Sequence, residues 1–137
     1  MPELARVSMS LEQELLEQFD RLSTERGYPT RSEALKALMR EALVEQRWQA
    51  GENVAGAITL VYDHHRSGAV KRLVDIQHDF GQAIVSTQHV HLDHHTCLEV
   101  VIVRGRAGAI RKLLAGLKSV KGLKHSAMVM AASGRES

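Results

Sequence analysis

Cys97 is the single cysteine of the chain and follows a His-x-His pair by six residues, in His89-Val90-His91-Leu92-Asp93-His94-His95-Thr96-Cys97. Residues two apart on a strand point to one face, so His89 and His91 offer imidazole nitrogens in a common direction. Asp93-His94 reads as a turn, after which Cys97 on the returning strand adds a thiolate beside them. Two nitrogens and a sulfur suit zinc, copper or nickel rather than magnesium or calcium, which take oxygen donors. A cysteine alone is more often a small buried hydrophobe; two histidines on the facing strand favour a ligand. Three ligands leave a position open, either for a bound water that does catalysis or for a fourth ligand from elsewhere. Glu99, two residues past Cys97, shares its face and is placed to orient a ligand histidine. His64 and His65 end a predicted strand and could hold a second, looser metal site, or be solvated polar residues. His94 and His95 are expected to be exposed in the turn.

The elements that must position these groups are legible from periodicity. Val54 to Tyr62 reads as a strand, Ala69 to Phe80 as a helix with Val70, Leu73, Val74 and Ile76 inward, and Gln82 to Leu92 as a strand. His95 to Val103 is its partner, Gly105 opens a polar break, Ala109 to Val120 is a helix and Leu123 to Met130 a last strand. The order β-α-β-β-α-β is the split, ferredoxin-like arrangement.

Ahead of it, Val7, Met9 and Leu11 alternate with Arg6, Ser8 and Ser10 in a short predicted strand over residues 4–11. Ser10 with Gln13 reads as a capping box for a helix carrying Leu11, Leu15, Phe19 and Leu22, which Gly27-Tyr28-Pro29 ends. Thr30-Arg31-Ser32-Glu33 caps a second helix, whose apolar stripe of Ala34, Leu35, Leu38, Met39, Ala42 and Leu43 fades near Trp48. Gly51-Glu52-Asn53 is the expected junction, dividing the chain into residues 1–50 and 51–137, in an α+β fold. A lone strand is unstable, so the simplest completion pairs it with the same strand of a second subunit. A two-stranded ribbon fits the major groove of DNA. Arg6, Ser8 and Ser10 would then face the bases, Val7, Met9 and Leu11 would pack on the helices, and amides around Thr30 to Ser32 would hold a phosphate. The competing reading is a strand that simply closes a dimer.

Charge is uneven: residues 1–50 are net −2 and residues 51–137 net +4, with all eight histidines at or beyond His64. The first part therefore does not bind nucleic acid through bulk charge. One cysteine excludes an internal disulfide framework and fits a reducing cytoplasm. Neither a signal peptide nor a membrane span is expected. Domains this small favour oligomerisation. No HExxH-like motif supplies a general base, so an enzyme is not expected. A metal chaperone or storage protein, and a regulator sensing a small molecule through its ferredoxin-like domain, are the alternatives.

Arg6-Val7-Ser8-Met9-Ser10-Leu11, Gly27-Tyr28 and Arg31-Ser32-Glu33-Ala34 resemble the ribbon-helix-helix DNA-binding domain, and Ser86 to Glu99 resembles the signature of nickel-responsive repressors of the NikR type. The resemblance spans nearly the whole chain. It implies an N-terminal ribbon-helix-helix domain and a C-terminal ferredoxin-like, ACT-type domain, assembled as a homotetramer that binds a palindromic operator in double-stranded DNA when nickel is present. It further implies Ni(II), one per subunit, held in a plane by His89, His91, Cys97 and a fourth histidine from a neighbouring subunit's helix, matched here by His78. Cu(II) or zinc could occupy the site in vitro, copper at least as tightly as nickel. Glu33 matches one of two carboxylates of a cation site in the family, while Ala37 stands at the other and departs from that pattern.

Overall fold

The structure, a computed structural model, describes residues 3–132. The chain divides into two compact units, residues 1–39 and 40–137.

In the first unit, helix α1 (Gln13–Glu25) ends in a left-handed glycine: Gly27 has φ 82°, and the N–H groups of Gly27 and Tyr28 donate to the carbonyls of Thr24 and Ser23. This double closure satisfies carbonyls that the helix end would otherwise leave bare. Helix α2 (Arg31–Gln49) starts as expected, with Thr30 Oγ1 accepting from the Glu33 N–H at 3.1 Å. Arg31 donates to both carboxylate oxygens of Asp20, at 3.0 and 2.8 Å, and ties the start of α2 to α1. That pair holds the Asp20 carboxyl below its ordinary range.

One expectation here needs correction. Ser10 does not cap α1: Glu12 precedes the first helical residue, its carbonyl takes the Leu16 N–H, and no side chain caps the end. Residues 3–12 form no strand within the chain, and Val7, Met9 and Leu11 are exposed rather than packed on its helices. A strand needs a hydrogen-bonded neighbour, and a single chain supplies none here. Leu15, Leu22, Leu38 and Met39 are exposed as well, so much of this unit's apolar surface is uncovered in one chain.

The second unit takes in the rest of α2 from Arg40. It continues with β1 (Asn53–Asp63), α3 (Ala69–Asp79), a 3-10 turn (Gly81–Ala83), β2 (Ile84–His91), β3 (Thr96–Arg106), α4 (Ala107–Lys118) and β4 (Leu123–Ala131). The four strands form one antiparallel sheet in the order β2-β3-β1-β4, the arrangement expected of a βαββαβ chain. Alternate residues of β1 (Val54, Ile58, Leu60, Tyr62) and of β3 (Cys97, Val101, Val103) are buried, and they pack with Leu73 and Ile76 of α3 and Ile110, Leu113 and Leu117 of α4.

Three details of this unit differ from the sequence reading. Val70 and Val74 lie on the exposed side of α3, so its buried stripe is Ala69, Leu73 and Ile76. Gly105 opens no break; β3 runs through it and α4 begins directly at Ala107. Trp48 does not mark a fading stripe. It is 1 % exposed, belongs to the core, and donates its indole N–H to the Ala131 carbonyl at 3.0 Å.

The indole lies where β1 has a glycine. A Cβ at Gly56 would stand 2.8 Å from the Val129 carbonyl oxygen and 3.4 Å from the Trp48 ring. Gly56→Ala is expected to force β4 away from β1 and destabilise the protein by about 1–3 kcal/mol in denaturant melts, the usual range for overpacking.

Candidate metal centre

The hairpin of β2 and β3 owes its facing to a bulge. Ile84 pairs with Val103 but Ser86 pairs with Ile102, so Val85 is an extra residue. Without it the period of two would set Ile84 and the histidines on opposite faces. With it, Ile84 packs against the core while His89 and His91 stand on the same face as their partners Glu99 and Cys97. The turn between the strands is closed by Asp93, whose Oδ1 accepts from the His95 and Thr96 N–H groups, both at 2.8 Å. Those amides, His95 first, hold its carboxyl below the ordinary range. Asp63 closes the end of β1 in the same way through the His65 N–H at 2.9 Å. The His64 N–H then donates to the His95 carbonyl, which ties the end of β1 to the hairpin turn.

These two turns deliver four side chains to one point. Cys97 is fully buried, and its Sγ lies 3.2 Å from His64 Nδ1, 3.3 Å from His89 Nε2 and 3.7 Å from His91 Nδ1. Glu99, also buried, is fully engaged: it accepts from the Tyr62 hydroxyl at 2.9 Å and from the Gln77 amide, and its Oε1 lies 3.8 Å from His89 Nδ1. His89 thus turns one nitrogen to the sulfur and the other towards a carboxylate, the arrangement by which ligand imidazoles are oriented. Burial, and next the charge of Glu99, push the Cys97 thiol up; burial, and next the neighbouring His65 and His91, push the His64 imidazole down. Burial likewise raises the Tyr62 phenol. These three shifts favour the uncharged forms, so a cation held by the Cys97 sulfur must displace the thiol proton.

Among the described residues, the His, Cys, Asp and Glu side chains whose ligand atoms all come within 4.8 Å of one another are His64, His91 and Cys97. Both hairpin histidines, His89 and His91, approach the Cys97 sulfur; His64 does so as well, and His89 falls outside the group of three. The signal that finds His64 is sheet register: Tyr62 pairs with Cys97, so the residue two beyond Tyr62 reaches the same face. His65 turns elsewhere, its Nε2 lying 2.6 Å from the His94 carbonyl. His78 stands exposed in the last turn of α3, outside this group. Arg6, Ser8 and Ser10 are exposed in the first unit. His94 and His95 are exposed in the turn.

A buried soft sulfur with imidazole nitrogens around it is a transition-metal donor set, and relatives of the chain are named for one such metal. Residues 55–131 match the NikR C-terminal nickel-binding domain, and residues 5–46 match the ribbon-helix-helix protein family of copG type. Proteins of Thermococcus onnurineus and Chlorobium limicola are each 48% identical, over 97% and 98% of this chain and 97% and 100% of their own length. One from Chlorobaculum tepidum is 53% identical over 91% of this chain and 93% of its own. All three bear the name of a nickel-responsive regulator.

The chain belongs to the NikR family. This is a family of transcriptional regulators and not of enzymes, with a ribbon-helix-helix domain before the NikR domain in an α+β chain. A solved structure of an uncharacterized protein from Thermotoga maritima, 16% identical, covers 58% of this NikR chain and 98% of its own at a TM-score of 0.53, a likeness of fold alone. No helix among the described residues is long and apolar enough to cross a membrane.

Proposed function

We propose that this chain is a nickel-dependent, sequence-specific repressor whose metal sits at a boundary between subunits. The observation that carries this is the buried Cys97 thiol ringed by imidazoles, in a chain that begins with a ribbon-helix-helix segment. The donor types fit nickel: His89, His91 and Cys97 supply two nitrogens and a sulfur, and His78 of a neighbouring subunit's α3 is the fourth ligand. His78 at an exposed helix end is accessible to another chain and is not used by its own. Bound nickel supplies a fixed cross-link between one subunit's hairpin and another's helix. The chain's own groups prepare that link: Glu99 orients His89, Gln77 joins Glu99 to α3 one residue before His78, and Asp93 fixes the hairpin turn.

The exposed residues 3–12 and the uncovered leucines of the first unit support pairing of two such units through a shared ribbon. Two ribbon pairs about a core of four NikR domains give a tetramer in the cytoplasm, and symmetric arms demand a palindromic operator with separated half-sites. Metal selects among arrangements of those arms only through its differential affinity for them.

Operator binding measured with and without Ni(II), on the wild type and on His89→Ala, His91→Ala and Cys97→Ala, tests the reading. Nickel-stimulated binding is expected in the wild type and in none of the three variants; stimulation surviving all three substitutions overturns it. Arg6→Ala is a separate test of the ribbon. It is expected to cost about 1–3 kcal/mol of discrimination for the operator, the worth of a bidentate guanine contact, while nickel stoichiometry stays at that of the wild type. Unchanged operator selectivity would remove Arg6 from the groove.

A further inference from the structure

The last turns of α2 and the end of β4 enclose a cavity of about 270 Å³, and none of the groups around Cys97 takes part in it. Arg40, Leu43, Val44 and Arg47 recur at spacings of three and four, so they share one face of α2 and form one wall. Met130 and Ala132 form the other, and the whole lining lies in the second unit. The wall cannot simply close. Trp48, next along the same face of α2, is tied by its indole N–H to the Ala131 carbonyl, which fixes the separation of helix and strand at the base of the cavity. Leu43 and Met130 stay exposed, so the apolar lining opens to solvent. The charge at its rim has one sign. The described lining residues include two guanidiniums and no carboxylate, and no hydrogen bond or ion pair among the described residues holds that of Arg40.

We propose that this cavity is an effector site for an amphipathic carboxylate, its apolar chain between Leu43, Val44 and Met130 and its head on Arg40 and Arg47. An apolar pocket with a few polar groups at one side is the usual form of a small-molecule site. The planar fork of arginine matches a carboxylate with two parallel hydrogen bonds. A neutral apolar molecule would leave the guanidiniums unused, and a small hydrophilic anion would leave the cavity unfilled. The site's place gives it a consequence. α2 runs through both units, and the ribbon-helix-helix match covers residues 5–46, so a ligand seated here touches the helix that enters the DNA-binding segment. Building on the reading of the chain as a repressor, such a ligand alters operator affinity to the extent that it binds the free and DNA-bound forms differently.

Titration of the full-length, metal-free protein with sodium octanoate tests the site, with Trp48, the one tryptophan of the chain, reporting by its emission. A saturable shift is expected in the wild type. Arg40→Gln should weaken octanoate at least about tenfold, the worth of a hydrogen bond to a charged group. Ala132→Leu, which fills the cavity, should abolish the shift, and octanol should bind at least about tenfold more weakly than octanoate. No saturable shift in the wild type, equal octanoate affinity in the wild type and both variants, or equal affinity for octanol and octanoate overturns the proposal. Octanoate held by Glu136→Gln and not by the wild type would give the cavity to residues 133–137 of the chain itself, and overturns it too. The effector role is read from operator binding with Ni(II). Saturating octanoate should change the wild-type affinity at least about fivefold, the lower end of common couplings between sites, and should leave that of Ala132→Leu unchanged. Indifference of a wild type that binds octanoate overturns that role. Absence of nickel-stimulated operator binding without octanoate would instead count against the functional reading, which separates the two failures.

Discussion

Cys97→Ala is expected to abolish the sulfur-to-metal absorption band on Ni(II) titration and to weaken nickel binding by more than the roughly 10–100-fold that loss of an outer-shell partner causes. The side chain is fully buried and three imidazole nitrogens lie within 3.7 Å of its sulfur, so nothing else in the pocket offers a soft donor. The pH dependence supplies a second signature with a definite sign. Burial and Glu99 raise the thiol's pKa, so at neutral pH the metal-free pocket holds S–H, and binding must release that proton. Nickel affinity should therefore rise with pH, by about a factor of ten per unit for this one proton while pH stays below the thiol pKa. In Cys97→Ala that proton's share of the slope disappears. A variant with the wild-type slope would show that the thiol is not the group being displaced. Glu99→Gln makes the complementary comparison: it keeps the sulfur band, removes the charge beside His89 Nδ1, and should weaken nickel binding by about 10–100-fold.

Most of this candidate site was legible because its donor groups lie close together in sequence. A hairpin whose strands are joined by four residues is a local structure, and the period of two fixes which of its side chains share a face. His64 reads in the sequence only as part of a second, looser site with His65; that it meets Cys97 is not legible, because it lies thirty-three residues away and approaches only through the pairing of β1 with β3, which periodicity does not reveal. The same distinction runs through the fold. Thr30, Gly27 and the β-α-β-β-α-β order are local signals and appear as read. Val70 and Val74 repeat at helical spacing like Leu73, but which apolar stripe of α3 meets the sheet depends on the angle at which the helix docks, and spacing carries no record of that. Residues 3–12 show the opposite case. Their alternation is that of a strand, yet one chain holds no neighbour for them, which is what the proposed pairing of two chains would supply.

Trp48→Ala is expected to be the most destabilising single change. This is the one tryptophan of the chain, 1 % exposed, in the last turn of α2. Its ring fills the space over Gly56, where no side chain is present, and its N–H donates to Ala131 on the neighbouring strand β4. Truncation leaves a cavity the size of an indole against two strands whose pairing holds their backbones in place, so collapse around it is limited. Such substitutions cost about 3–5 kcal/mol. At roughly 2–8 °C per kcal/mol for domains of this size range, a fall in Tm of at least about 6 °C is expected by circular dichroism. Trp48→Phe separates the two contributions. It keeps most of the apolar contact and loses the hydrogen bond, worth about 1 kcal/mol net, while Ala131 at the exposed edge of the sheet can turn to water. The phenylalanine variant should therefore lie much nearer the wild type than the alanine variant. Equal losses in both would assign the stabilisation to the Trp48–Ala131 hydrogen bond, and a loss under about 1 kcal/mol in the alanine variant would mean that the ring over Gly56 is not a core contact at all.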